Sequence, residues 1–322
     1  MTEASITLVA GCDEDFARPL AVTLFSALKH LDPAQPVTLY LIDGGVSPES
    51  RMRIERVARR VRRDVCLAWR KPQPEEMQYL AGARHLSPAT YLRLFIPDLL
   101  PPEVTRALYV DSDFLIRADL RELWNTDLNG VAVAAARDFI VTQIDHPYSG
   151  VKDHRALGLD PQAPYFNAGL LLMDVGRWRR DRIAAKALSY AVKHGAALGN
   201  CDQDALNATL PGDWLPLDYR WNVQSALFYL HDLSDSAFTR ELSQARPALL
   251  KEAKIIHFTG TPKPWNHWSG HPAAEDWVKH LLESGWYAPA EAAKWALAYR
   301  AKRALFKIKV ALHLSPRRER VD

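Results

Sequence analysis

Cysteine is scarce in this 322-residue chain: Cys12, Cys66 and Cys201 are odd in number, far apart and form no CxxC pair. A disulfide framework and a structural zinc site are therefore not expected, and a reducing compartment is. Long apolar runs are missing as well. The apolar stretches are of strand length, well short of the roughly 20 residues needed to span a bilayer. The opening MTEASITLVA carries Glu3 and no basic segment, so no secretory signal is expected and the protein should be cytoplasmic. No Walker loop, GxGxxG, GxSxG or HExxH occurs, which weighs against P-loop NTPases, dehydrogenases, α/β-hydrolases and zincins. Strong charge of one sign is absent from the body of the chain. Residues 290–322 hold nine Lys/Arg against Glu291, Glu319 and Asp322, a local +6, so a net charge of +3 leaves −3 for residues 1–289. A mildly acidic body with a basic tail argues against nucleic acid as a partner.

What is present is enough apolar material, 48%, for a sizeable core, with 25% charged residues, which excludes wholesale disorder. Short apolar runs recur at 6–10, 37–42, 65–69, 107–110, 131–135, 169–173 and 254–258. Helical spacing separates the early ones: Leu20, Leu24, Ala27, Leu28 and Leu31 after Pro19, then Met52, Ile54, Val57, Ala58 and Val61 after a Ser-Pro-Glu start. Alternation of this kind predicts an α/β protein with a mainly parallel, buried sheet flanked by helices. In the second half the pattern predicts one helix over 178–194 and another over 202–209. The Trp- and Pro-rich stretches LPGDWLPLDYRWN and TPKPWNHWSGHP are too apolar for linkers and are expected to pack over a site. The simplest partition is a catalytic domain over 1–289 and a basic helical tail over 290–322.

Four segments could carry chemistry. In ALYVDSDFLI an apolar strand ends in Asp111-Ser112-Asp113, where two carboxylates could hold Mg²⁺ or Mn²⁺ against a diphosphate, or simply solvate a turn. Asp-x-Asp by itself is uninformative, since 24 aspartates give about two such triplets by chance; the buried strand before and Phe114-Leu115-Ile116 after are what single this one out. In IIHFTGTPKPW, His257 is either a satisfied core residue or, with the carboxylates, part of an Mn²⁺ set. Gly260 allows close backbone approach to a phosphate, and Lys263 offers it a fixed charge. In YFNAGLLLMDVGRW, Asn167 precedes the small residues Ala168 and Gly169, a place for a ligand ring or only a strand-entry turn. In CDQDALN, Asp202, Gln203 and Asp204 open a helix, where capping accounts for one acid comfortably. Weaker candidates are His85, Arg93 as a phosphate contact or surface cation, and Asp13 as a nucleotide contact or helix cap.

Taken in order, Asp13, HLSPATYLRL, RALYVDSDFLI, LWNTDL, the ARD ending in Asp138, YFNAGLLLMDVGRW, DQDALN and HFTGTPKPW resemble the retaining glycosyltransferases of family 8, in particular bacterial lipopolysaccharide galactosyl- and glucosyltransferases. The resemblance runs from about Ile6 to Trp268. It implies a GT-A fold, a Mn²⁺ cofactor (with Mg²⁺ as a substitute), a UDP-hexose donor and a glycan or glycolipid acceptor. Carried over by position, Asp111, Asp113 and His257 would be metal ligands; Asp13 would meet the uracil; Gly260 and Lys263 would meet the diphosphate. Ser112, Ala168 and Gly169 would line the donor site, and Arg93, Asp138, Asn167, Asp202 and Gln203 would surround the donor sugar. His85 would lie on the acceptor side. Gln203 stands where retention asks for a nucleophile and is a poor one, so the expectation is a front-face route, with Asp202 or Asp138 as the covalent alternative. Where such sequences often read Asp-Asp-Asn-Tyr, this one reads Asp13-Glu14-Asp15-Phe16.

Two rival readings make different demands on the sequence. A sugar-phosphate nucleotidyltransferase asks for a Gly-rich basic loop after the first strand, and GCDEDFARP is acidic. A non-catalytic sugar- or partner-binding protein on a transferase scaffold asks for loss of a metal ligand, and all three residues are present. In the tail, Leu297, Ala298, Ala301, Leu305, Ile308 and Leu312 fall on one helical stripe among basic residues. That suits a helix lying on the anionic cytoplasmic face of a membrane through residues 294–320, or one docked on the body with a solvated basic face.

Overall fold

The computed structural model describes residues 5–73, 88–147, 149–229, 236–266 and 269–312. Its strands are β1 Ile6–Cys12, β2 Val37–Asp43, β3 Cys66–Arg70, β4 Arg106–Val110 and β5 Phe114–Ile116, followed by β6 Val133–Ala135, β7 Leu170–Asp174, β8 Trp214–Pro216, β9 Val223–Gln224 and β10 Ile255–His257. The α-helices of eight residues or more are α1 Ala17–His30, α2 Pro48–Val61, α3 Ile183–His194 and α4 Asp202–Thr209, then α5 Ala237–Lys251, α6 Ala274–Ser284 and α7 Pro289–Ala311.

Seven strands form one sheet in the order β3-β2-β1-β4-β7-β6-β8. Only β7 runs against its neighbours, β4 and β6; the other pairings are parallel. This is the mixed, mainly parallel sheet the sequence predicts. Six of the seven apolar runs become its strands. The seventh, 254–258, instead joins a small sheet in the order β5-β10-β9. Sheet faces alternate as strand geometry requires: Leu8 and Ala10 enter one apolar cluster with Leu20, Ile54 and Trp277, while Val9 enters the other with Ala187 and Leu206. Helices therefore cover both faces. Each such leucine, fully removed from water, contributes on the order of 1.5–3 kcal/mol.

Local signals explain the elements. Ser47 caps α2 by accepting the N–H of Ser50 at 3.2 Å, and Pro48 fills the first helical turn, where a missing N–H costs nothing. The helix predicted over 178–194 is interrupted. A short helix, Val175–Arg180, ends at Asp181, whose N–H reaches the carbonyl of Arg177, and Arg182 takes a left-handed conformation (φ 54°) before α3 begins. Periodicity continues through such a break, so the apolar pattern alone does not reveal it.

Helix α7 is attached along one side. Trp295 stacks between Tyr287 and Tyr299, the Tyr299 hydroxyl donates to the Pro264 carbonyl at 3.1 Å, and Arg303 donates to the Ser269 carbonyl at 3.2 Å. These residues recur every fourth position, one helical face. The predicted apolar stripe lies elsewhere on the helix and is exposed: Leu297 at 72%, Leu305 at 53%, Ile308 at 54% and Leu312 at 62%.

Candidate functional site

Strand β4 delivers Asp111 to the carboxyl edge of the sheet, beside the end of the parallel strand β1. The chain turns through Ser112 and Asp113 and returns as β5, whose Phe114, Leu115 and Ile116 are fully buried. Pairing of β5 with β10 sets His257 opposite Phe114, with their rings edge to face at 4.5 Å. That register, fixed by apolar residues on both strands, carries the imidazole to the carboxylates. His257 Nε2 lies 3.3 Å from Asp113 Oδ1 and 3.7 Å from Asp111 Oδ2. One donor atom from each of the three residues falls within 4.8 Å of the others, the one such group of three among the described residues. Two carboxylate oxygens and an imidazole nitrogen converging at this range are a donor set that could hold a divalent metal ion. Gly169, held beside Asp111 by a 2.9 Å bond from the Asp111 N–H, makes the room: a Cβ there would stand 2.5 Å from His257 Cε1 and 2.8 Å from Asp111 Oδ2. The smallness of this residue serves the imidazole and the carboxylate.

Charges around the cluster are arranged in pairs. Arg93 is buried, lies over the Tyr109 ring, and reaches Asp111 Oδ1 at 3.0 Å and Asp202 Oδ2 at 2.8 Å. Its guanidinium also donates to the Ala168 carbonyl. Arg93 is therefore neither a surface cation nor free. Tyr109 donates its hydroxyl to Asp111 Oδ1 at 2.7 Å. Lys263 donates to Asp113 Oδ2 and to the Phe258 carbonyl, each at 2.6 Å. Burial raises the pKa of Asp111 despite Arg93. Burial also works against the Asp113 carboxylate, but the groups that outweigh it, the Lys263 ammonium first, hold its pKa well below the usual range. Burial, with Asp111 nearby, pushes Asp202 up to about 7 against the pull of Arg93.

A second group of polar side chains adjoins the first. Asp138 is buried and accepts four hydrogen bonds: the N–H groups of Ile140 and Val141 on Oδ1, and Asn167 Nδ2 and Gln203 Nε2, both at 3.0 Å, on Oδ2. Gln203 Oε1 accepts the Ala168 N–H at 2.9 Å. Asn167 Oδ1 accepts the Gly169 N–H at 3.0 Å. Hence Asp111, Asp113, His257, Arg93, Lys263, Ala168, Gly169, Asp202, Gln203, Asp138 and Asn167 form one connected site. Asp204, at the same helix start, points elsewhere and accepts from Tyr165, Gly150 and Asn200 as a buried structural acid.

The remaining sequence candidates stand differently. The Ser112 hydroxyl donates to the Gly11 carbonyl at 2.7 Å, tying the turn to β1. Asp13 Oδ1 accepts the Phe16 N–H at 3.2 Å in the turn before α1, which begins after Phe16 without a side-chain capping bond, while Glu14 binds Ser47 and Ser50 at the start of α2. Gly260 has φ 65° and open space around it, so conformation rather than crowding calls for glycine there. His85 lies outside the described residues. Sequence reasoning missed Tyr109 and Asn222. Asn222 sits in the Trp-rich stretch and reaches His257 because β9 pairs in parallel with β10. Its Oδ1 is 3.0 Å from His257 Nδ1, and its Nδ2 donates to Asn167 Oδ1 at 3.0 Å.

Residues 7–269 match the model of glycosyl transferase family 8. The chain is 28% identical over 284 residues to general stress protein A of Bacillus subtilis (strain 168), covering 87% of this chain and 94% of that one. It is 27% identical over 212 residues to the lipopolysaccharide 1,2-glucosyltransferase of Escherichia coli (strain K12), covering 66% and 59% respectively. Among solved structures it is similar to the galactosyltransferase LgtC in complex with donor and acceptor sugar analogs, with a TM-score of 0.72 at 23% identity over 92% of this chain and 100% of that one. The fold is of the GT-A type.

Proposed function

This chain belongs to glycosyl transferase family 8, and from that premise we propose that it transfers a hexose, glucose or galactose, from a UDP-sugar to a hydroxyl of a glycan or glycolipid with retention of configuration. The observation that carries the reading is the convergence of Asp111, Asp113 and His257 within 4.8 Å at the carboxyl edge of the sheet, where ligands of open α/β sheets bind. These three residues would hold Mn²⁺, or Mg²⁺ in its place. A bound divalent cation supplies positive charge to a diphosphate leaving group as the sugar–phosphate bond breaks. Lys263 would add its ammonium to the same diphosphate, beside Gly260, and Asp13 would meet the base. Preorganised charge of this kind lowers a barrier by several kcal/mol without a dedicated acid.

Asp138, Asn167, Asp202, Gln203 and Arg93 would surround the sugar, and His85 would face the acceptor. A carboxylate nucleophile would have to sit about 3 Å from the anomeric carbon with a lone pair free. Asp138 already accepts four hydrogen bonds, Asp202 is ion-paired to Arg93, and the Gln203 carbonyl oxygen is taken by the Ala168 N–H. That bonding favours a front-face route. In it the acceptor hydroxyl attacks from the side the diphosphate leaves, and a phosphate oxygen takes its proton. Hydrolysis of UDP-glucose, UDP-galactose and UDP-N-acetylglucosamine without acceptor tests the donor class; no turnover of any of them, with or without Mn²⁺, would overturn it. A glycosyl-enzyme trapped on Asp138 or Asp202 would overturn the front-face route.

In the same reading the catalytic domain would span 1–289 and the appendage 290–322, in a cytoplasmic enzyme that would meet the membrane peripherally. No helix among the described residues is long and apolar enough to cross a membrane. Leu297, Leu305, Ile308 and Leu312 are exposed beside Lys302, Lys307 and Lys309, a composition suited to an anionic lipid surface. Because Trp295 and Tyr299 dock the same helix, the test replaces Leu305, Ile308 and Leu312 by serine in the full chain. Loss of sedimentation with anionic liposomes is expected, and unchanged sedimentation would dismiss the membrane role.

A further inference from the structure

Resting on the metal-site reading above, we propose that Asn222 is a positioning residue that holds the proton of His257 on Nδ1, leaving the Nε2 lone pair open to a cation, and that the backbone N–H of Gly169 sets this polarity through Asn167. A side-chain amide has a donor end and an acceptor end, and which end faces which neighbour follows from partners that have no choice. The Gly169 N–H can only donate, so the Asn167 atom 3.0 Å from it is the oxygen, Oδ1. The Asn222 atom that meets the same oxygen at 3.0 Å must then donate and is Nδ2. The other end of Asn222, 3.0 Å from His257 Nδ1, is therefore its oxygen and can only accept. His257 must donate from Nδ1, and in a neutral ring that leaves Nε2 as an acceptor.

The far end of the chain of bonds is anchored independently. The Ala168 N–H fixes the oxygen of Gln203, so Gln203 turns its nitrogen to Asp138 Oδ2, which also receives Asn167 Nδ2. Two backbone N–H groups, on consecutive residues, thus orient every amide between the sugar side of the site and the imidazole. Asn222 is fully buried and Asn167 nearly so, which excludes water as a competing partner and makes an inverted amide costly. Gly169 contributes twice: its N–H starts the relay, and its missing Cβ admits the ring that the relay orients. Outer partners of this kind matter for affinity by about 10–100-fold when removed from a metal-bound histidine.

The test titrates Mn²⁺ onto the full chain, with UDP absent and present, and reads free Mn²⁺ by electron paramagnetic resonance. Asn222→Leu removes the acceptor and should weaken Mn²⁺ about 10–100-fold. Asn222→Asp keeps an oxygen toward Nδ1 and should lie much nearer the wild type, although its second oxygen opposes Asn167 Oδ1 and lowers the thermal midpoint. Equal Mn²⁺ affinity in the wild type and the leucine variant overturns the relay and leaves the metal reading intact. A wild-type chain that binds no Mn²⁺ overturns the metal reading and the relay with it. Should either variant fail to fold, ¹⁵N spectra of the histidine-labelled, metal-free wild type, at a pH where the His257 ring is neutral, decide the matter. A proton on Nδ1 of His257, identified by its loss in His257→Gln, supports the relay, and a proton on Nε2 overturns it.

Discussion

Replacing Gly169 by alanine adds one methyl group at the point where the site is most crowded. Its Cβ would stand 2.5 Å from His257 Cε1, 2.8 Å from Asp111 Oδ2 and 3.0 Å from Asn167 Oδ1. Carbon atoms rest about 3.5–4.0 Å apart, so the imidazole must retreat by roughly 1 Å. The backbone cannot yield in its place, because Gly169 is tied to Asp111 by the strand ladder and precedes the buried strand β7. Overpacking of this size costs about 1–3 kcal/mol of stability. A ligand shifted by that amount lies far outside the tolerance of about 0.2 Å within which metal–ligand distances fall, and a misplacement of about 1 Å costs on the order of 10²-fold in rate. Urea unfolding, Mn²⁺ titration and initial rates measured on Gly169→Ala should give a folded protein with modestly reduced stability and a severe loss of Mn²⁺ affinity and turnover. Wild-type affinity and turnover in a stable variant would refute the argument that this glycine exists to admit the imidazole.

Asp113→Ala should abolish transfer and UDP-dependent Mn²⁺ binding while unfolding remains cooperative in a denaturant melt. Gln203→Ala should reduce kcat far more than it weakens donor affinity; comparable losses in both would mean that the residue only positions the sugar. His271 is fully buried among Phe228, Tyr229 and Phe258, and burial lowers its pKa to about 4 from an ordinary value of 6.5. The unfolded chain binds the proton first, so the stability tied to the neutral ring is complete above pH 6.5 and is lost as pH falls toward 4, about 2 kcal/mol of it by pH 5. Urea midpoints between pH 7.5 and pH 5 should fall less in His271→Phe than in the wild type, and parallel curves would contradict the assignment.

Sheet membership was legible wherever apolar runs of strand length alternated with helical spacing, because a parallel sheet buries both faces and leaves little else in its strands. The two carboxylates were legible from their strand context, Phe114 to Ile116 being apolar for the reason that they form β5. Other features were not readable. Asp202 and Asp204 look equivalent in the local pattern, and only the family resemblance separated them; one pairs with Arg93 and the other braces Tyr165, a difference decided by the side to which each points at the start of α4. Asn222 carries no local signal, since its role arises from a parallel strand register with a residue 35 positions away. The interruption near Arg182 hides within an unbroken periodicity. On α7 the stripe of leucines suited either a membrane surface or a docking face, and the sequence did not show that aromatic stacking through Trp295 and Tyr299 attaches the opposite side.

The central claim is that Asp111, Asp113 and His257 hold one divalent cation against the diphosphate of a nucleotide-sugar. The most direct measurement is anomalous diffraction above and below the manganese edge from crystals grown with Mn²⁺ and UDP. A single strong peak within bonding distance of Asp111 and Asp113 oxygens and of His257 Nε2, with the diphosphate against it, is the expected result. A diphosphate bound with no peak there, or a peak that leaves His257 uncoordinated, would contradict the account.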